Sequence, residues 1–153
     1  MALGVMNLRN ANHVGLVQMT STESMNAGNR SLRPNLTKLE RRYMFAKKAG
    51  GLVYLADAHD IRVAPFAVFR TPEEQYKLFL EGKSKCDGIT IKSAHQSWLA
   101  CDLGILNDDG TDFLWSDPRY EKLGELGENL GLTWGGRWTS LGDIYHFEFK
   151  EPE

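Results

Sequence analysis

From Pro34 onward, apolar positions recur at Leu36, Leu39, Tyr43, Ala46, Gly50 and Val53, with Arg41, Arg42, Lys47 and Lys48 largely on the other side. This spacing predicts an amphipathic helix that packs its apolar stripe on a core, with Gly50-Gly51 as the place for a break. Ile61 to Phe69 is rich in β-branched and aromatic residues and reads as a strand, and Pro65 assigns it to a sheet edge or a bulge. Thr71-Pro72-Glu73-Glu74 is a helix start, because Thr71 can cap, Pro72 suits the first turn and Glu74 completes a capping box. Tyr76, Phe79 and Leu80 then fall on the predicted inner face, and Gly82 closes the helix. Lys83 to Lys92 is a loop by composition, Leu99 to Ile105 a strand, and Asn107-Asp108-Asp109-Gly110 a turn. A second helix opens at Ser116-Asp117-Pro118, carries Tyr120, Leu123, Leu126 and Leu130 inward and ends at Gly131. Ile144 to Phe149 alternates as a strand.

This order of elements is mixed, with no βα repeat and no internal repeat, so it predicts an α+β fold: a small, mainly antiparallel sheet flanked by helices. Residues 1–32, rich in Asn, Ser, Thr and Met without a sustained period, read as an irregular leader, which leaves 33–153 as the functional domain. A chain of 153 residues with 42% hydrophobic content can build one core without disulfide or metal staples. The longest apolar runs, Leu52 to Ala56 and Val63 to Phe69, are far short of the roughly 20 residues a membrane-spanning helix needs. Met1 to Met6 has no basic residue ahead of its apolar stretch, so no signal peptide is read and a cytoplasmic location is expected. Cys86 and Cys101 are the only cysteines and are expected as reduced thiols. A net charge of -2 speaks against a nucleic-acid binder that works by neutralising phosphates. The charge is uneven: the first fifty residues hold eight Lys or Arg against Glu23 and Glu40, and the acidic excess lies later, most of it after Ala100. That basic stretch reads either as a solvated helix face or as an attraction to an anionic polymer such as a cell-wall or membrane surface.

Two segments carry metal-ligand side chains on short strands or at their entrances. In Ser93-Ala94-His95-Gln96-Ser97-Trp98-Leu99-Ala100-Cys101-Asp102, period-two alternation sends Ala100 and Asp102 to one face and Cys101 and Leu103 to the other. In Asp143-Ile144-Tyr145-His146-Phe147-Glu148-Phe149, three aromatics share one face and leave His146 and Glu148 on the opposite one. His95, Asp102 and His146 together offer two imidazoles and a carboxylate, the ligand set of a catalytic zinc site with its fourth position open to water. Zinc in such a site lowers the pKa of its water to ~7 and polarises a carbonyl, which points to amide hydrolysis. A base is then needed nearby, and Asp143 is the first choice, with Glu148 second. Asp57, His59 and Asp60 sit between helix and strand and read as a polar turn. Trp134 and Trp138 read as core or cleft wall, Glu148 as a hydrogen-bond partner behind the site, and Ser93 as either turn or site residue.

At these residues the chain resembles the zinc peptidases of bacterial and phage cell-wall metabolism: D-alanyl-D-alanine carboxypeptidases and dipeptidases of VanY type, with their phage L-alanyl-D-glutamate endopeptidase branch. The family's SxHxxGxAxD motif is matched by Ser93, His95, Ala100 and Asp102, and its carboxylate three residues ahead of a histidine by Asp143 and His146. Phe69-Arg70-Thr71 with Glu74 and Gln75, and the run from Gly131 to Trp138, lie in the family's order. The resemblance implies a zinc site in a cleft of a D-Ala-D-Ala peptidase-like fold, with zinc on His95, Asp102 and His146 and Asp143 as general base. It further implies that Arg70 supports the substrate carbonyl or oxyanion and that Ser93 contacts substrate or backs a ligand. One position departs: the motif's glycine is Trp98 here, which implies a changed local backbone or a reshaped cleft rim. The implied protein is a monomeric peptidase acting on the peptidoglycan stem peptide, an endolysin held in the cytoplasm until released to the wall. Two other readings stand beside it: a D-alanyl-D-alanine carboxypeptidase or dipeptidase, and a non-catalytic wall-binding or virion structural module that keeps the zinc site.

Overall fold

Helix α1, Lys38–Asp57, starts where Thr37 and Glu40 form a reciprocal capping box. The computed structural model describes residues 36–140 and 142–151, so the leader expected over 1–32 lies outside the described residues. The helix runs through Gly50-Gly51 without a break. It also presents a different face from the one predicted. Phe45, Leu52 and Ala56 are buried, whereas Leu39, Tyr43, Val53 and Tyr54 are exposed. The cause lies in two basic residues that take inward positions because backbone acceptors await them. Arg42 Nε donates to the Ser97 carbonyl at 3.0 Å, and Lys48 Nζ donates to the Leu130 carbonyl. Long cationic stems can lie along apolar surface while their heads find oxygen, and here that preference overrode the apolar stripe.

The sheet has the order β1-β2-β4-β3 and is antiparallel throughout, from β1 (Val63–Ala67), β2 (Ala100–Ile105), β3 (Thr133–Trp134) and β4 (His146–Glu148). β1 is an edge strand, and its register shifts between Pro65 and Ala67, as Pro65 required. β4 is shorter than the alternation from Ile144 predicted. Asp143 forms a turn ahead of it, its carbonyl accepting from the His146 amide at 3.2 Å and its side chain from the Tyr145 amide at 3.3 Å. Cys101, Leu103, Phe147 and Phe149 face the core, together with Leu123, Leu126 and Tyr120 of α3 (Arg119–Asn129). α3 lies close to the sheet because it carries no side chain where it touches. A Cβ at Gly124 would stand 2.3 Å from the Trp134 ring, and one at Gly127 2.6 Å from Phe147.

Helix α2, Pro72–Leu80, begins with the predicted Thr71–Glu74 capping box and ends ahead of Gly82 at φ 70°. Its predicted inner face is corrected. Tyr76, Phe79 and Leu80 are exposed, and the buried residue is Gln75. The helix is short and packs the loop 83–92 rather than the apolar core, so a polar residue at its inner face finds backbone partners there. Both cysteines are free thiols, and burial lifts Cys101 to about 12. None of the described helices is long and apolar enough to cross a membrane.

Candidate metal centre

Asp102 and His146 come together through strand register. They are directly opposed on β2 and β4, and alternation places both on the face away from the apolar core. His95 arrives from a 3₁₀ turn, Ala94–Ser97, whose geometry is fixed by Ser93: its hydroxyl accepts from the His95 amide at 3.4 Å, and its amide donates to Gln96 Oε1 at 2.9 Å. All three side chains are buried, and His95 is fully enclosed.

The ring hydrogen bonds decide which atoms converge. His95 Nδ1 lies 3.2 Å from the Val68 carbonyl, which can only accept, so Nδ1 carries the proton and Nε2 presents a lone pair. His146 Nε2 lies 3.4 Å from Glu148 Oε2, which in the same way turns His146 Nδ1 inward as a lone pair. His95 Nε2, His146 Nδ1 and Asp102 Oδ1 then face one another at 3.0–3.1 Å. Three acceptors at that separation require a cation among them. Ligands of a tetrahedral zinc stand roughly 3.3–3.6 Å apart, so an opening of a few tenths of an ångström fits the ion. The donor set of two imidazoles and one carboxylate matches zinc, and it is the one such group among the described residues. Asp57 ends α1, and His59 and Asp60 lie in the exposed turn that follows it, a polar turn as expected from the sequence.

The charges are mutually dependent. Burial would raise the Asp102 carboxyl, but its contacts with the His146 and His95 rings hold it well below the usual carboxylate range. Burial would lower His146, yet its bonds to Asp102 and Glu148 lift it to about 9, so in the metal-free protein a proton fills the place of the ion. The second oxygen of Asp102 takes Arg70 Nη2 at 2.6 Å. Arg70 therefore pairs with the carboxylate of the donor cluster and leaves Oδ1 to the cluster.

The centre opens into a pocket of about 480 Å³ lined in part by Arg70, Ser93, Trp138, Asp143, His146 and Glu148. Asp143 is half-buried, and burial followed by the charge of Asp102 raises its carboxyl above the usual range. Glu148 is committed to His146 and to Lys150 at 2.8 Å, whereas Asp143 lines the same pocket with no ion pair among the described residues. Trp138 tilts against the His146 ring at 5.0 Å and forms wall, while Trp134 is core and donates to the Ile144 carbonyl at 2.9 Å.

Trp98 is not among the pocket-lining residues; it stacks on Phe69 at 4.7 Å and is 44% exposed. Its backbone adopts the left-handed conformation that suits a glycine, with φ 61°. The residue that sequence reasoning left without a role is Gln75. Fully buried, it accepts from Arg70 Nη1 at 3.2 Å and donates to Ser84 Oγ at 2.8 Å and the Cys86 carbonyl at 3.0 Å. It ties the Arg70–Asp102 pair to the pocket loop, a role that its place close to Arg70 in the sequence does not reveal.

A family model described as D-alanyl-D-alanine carboxypeptidase matches residues 87–149, the segment holding all three donors and Asp143. The chain is 30% identical, over a 95-residue alignment, to the peptidoglycan L-alanyl-D-glutamate endopeptidase CwlK of Bacillus subtilis. That alignment covers 52% of this chain and 56% of the relative, so the chain spans little more than half of that relative's length. Among solved structures, the L-Ala D-Glu endopeptidase ChiX of Serratia marcescens superposes with a TM-score of 0.56 at 19% identity, covering 74% of this chain and 86% of that one. The vancomycin resistance D,D-pentapeptidase VanY, solved with Zn(II), gives 0.53 at 16% identity over 69% of this chain and 70% of its own. The likenesses to solved structures establish the fold, and the segment that carries the zinc-type donor cluster is similar to the family of D-alanyl-D-alanine carboxypeptidases.

Proposed function

We propose that the chain hydrolyses an amide bond in the stem peptide of peptidoglycan, as an endopeptidase of the L-alanyl-D-glutamate type. The observation that carries the reading is the convergence of three metal-type donors with Asp143, a carboxylate without a cationic partner among the described residues, on one pocket. Bound zinc supplies Lewis-acid polarisation of the scissile carbonyl and a water made nucleophilic near neutral pH. Asp143 takes the proton of the attacking water and returns it to the departing amine, a task its raised basicity suits. Arg70 fixes Asp102 and keeps positive charge at the pocket wall, where charge develops on the carbonyl oxygen. Ser93 sets the turn that aims His95, and Glu148 sets the tautomer of His146.

The endopeptidase choice follows the descriptions of the Bacillus and Serratia proteins. An endolysin role, with the protein reaching the wall after release from the cytoplasm, belongs to the same proposal. The test is mass spectrometry of soluble fragments and new amino termini from peptidoglycan, with and without chelator and with zinc restored. New D-glutamyl amino termini that vanish with chelator and return with zinc are expected. Release of terminal D-alanine alone assigns the carboxypeptidase reading, and metal binding without cleavage in walls of several chemotypes assigns the binding-module reading.

A further inference from the structure

Five cations line the catalytic pocket, and three are already engaged. Arg70 is held by Asp102 and Gln75, Lys83 by Glu81 at 2.8 Å, and Lys150 by Glu148 at 2.8 Å. Lys85 and Lys92 line the same pocket, are exposed, and make no ion pair or hydrogen bond among the described residues. Both belong to the loop 83–92, which has no helix or strand and yet is tightly fixed. Asp87 Oδ1 accepts from the amides of Ile89, Thr90 and Ile91 at 2.8–2.9 Å. Gln75 grips Ser84 and the Cys86 carbonyl from below, and Gln96 Nε2 donates to the Gly88 carbonyl at 2.8 Å. Gly88, at φ 78°, lies so close to α2 that a Cβ there would stand 2.9 Å from Gln75. The loop is thus anchored on both sides of each lysine: Ser84 and Cys86 flank Lys85, and Ser93, next to Lys92, caps the turn that carries His95.

We propose that Lys85 and Lys92 form a carboxylate-recognition rim that makes this pocket selective for peptides with a free carboxylate beside the scissile amide. The inference rests on the peptidase reading above and names its substrate class. A glutamyl residue that continues the chain through one carboxyl leaves the other free, and amidation of that group removes its charge without altering the scissile bond. The pocket also contains Asp143 and Glu148. Glu148 is paired with Lys150 and hydrogen-bonded to the His146 ring, so Asp143 is the anion that a substrate carboxylate must avoid, and two lysines on the loop without partners among the described residues give it a place to go. The anchored backbone fixes where both lysine stems begin, so binding has only the side chains left to order.

The test compares two short synthetic peptides, L-alanyl-D-glutamyl and its side-carboxamide counterpart, on the full zinc-loaded chain. Equilibrium binding to the Asp143→Asn variant is read by calorimetry, and kcat/KM is read on the unmodified protein. The acid is expected to bind about tenfold more tightly and to be cleaved with a correspondingly higher kcat/KM. In a Lys85→Gln/Lys92→Gln double variant both ratios are expected to fall to within about twofold of unity, with the carboxamide's own values unchanged, and Lys85→Arg/Lys92→Arg is expected to restore the preference. Equal binding of acid and carboxamide, no binding of either, or a preference that survives the double variant overturns the rim. Discrimination in binding with no cleavage of either peptide leaves the rim standing and overturns the peptidase reading instead.

Discussion

Gln75→Leu removes one buried amide while keeping the volume of the side chain nearly unchanged, and its consequences can be worked from three contacts. The Cys86 carbonyl loses its donor, Ser84 Oγ loses one of two partners, and Arg70 Nη1 loses its acceptor. An enclosed carbonyl left without a donor costs about 1–3 kcal/mol, whereas the partly exposed guanidinium can turn to water at smaller cost. A net destabilisation of about 2–3 kcal/mol is expected, which for a domain of this size lowers Tm by roughly 8–12 °C. The zinc ligands are untouched, since Arg70 still reaches Asp102 through Nη2, so zinc affinity should change by less than about threefold. Loop 83–92 loses its grip on α2, and the amides of Cys86, Ile89, Thr90 and Ile91 should exchange faster with solvent deuterium. Differential scanning calorimetry, zinc titration and hydrogen exchange measure the three effects. A Tm within about 2 °C of the parent chain, together with unchanged exchange in the loop, would refute the claim that Gln75 couples the metal centre to the pocket wall.

The base assignment predicts that Asp143→Asn binds zinc stoichiometrically, measured by elemental analysis, and loses about 10²–10⁴ in turnover on peptidoglycan; retained turnover would transfer the role to Glu148. His95→Ala or His146→Ala should instead lose the metal, and stoichiometric zinc in both would discard the ligand set. In the metal-free protein the raised His146 contributes stability that is fully present below its unfolded value of about 6.5 and is lost as pH rises through about 9. Zinc needs the same lone pair, so its affinity should climb over that window, with release of close to one proton at pH 7 in calorimetry across buffers of different ionisation enthalpy; no proton release would contradict the pairing of Asp102 with His146. At position 98 both Trp98→Gly and Trp98→Ala lose the Phe69 stack, but alanine keeps the left-handed backbone penalty, so the glycine variant should be the more stable by about 0.5–1 kcal/mol in urea unfolding. An alanine variant of equal or greater stability would show that φ 61° carries no strain.

Much of the molecule was legible from local chemistry. The Thr71–Glu74 cap, the edge position forced by Pro65, the glycine that ends α2 and the alternation around Asp102 and His146 depend on a few neighbouring residues, and each is found as read. The inner faces of α1 and α2 were misread for one reason. A helix does not choose its buried side by apolar content when polar groups elsewhere offer better partners. Arg42 turned inward to the Ser97 carbonyl, 55 residues away, and Lys48 to the carbonyl of Leu130. Gln75 was enclosed because the loop behind it exposed a carbonyl and a hydroxyl. Those acceptors exist only once the chain has closed on itself.

The same division runs through the site. The sequence by itself determined which side chains could hold a metal and which carboxylate stood near them, because ligand chemistry is a property of residue type and strand alternation is strictly local. Only the tertiary structure decided which ring nitrogens face inward, that Arg70 engages Asp102, and that Lys85 and Lys92 stand at the pocket without partners among the described residues. Each of those facts is a hydrogen bond or its absence between segments distant in the chain, and its energy depends on burial that no single segment possesses.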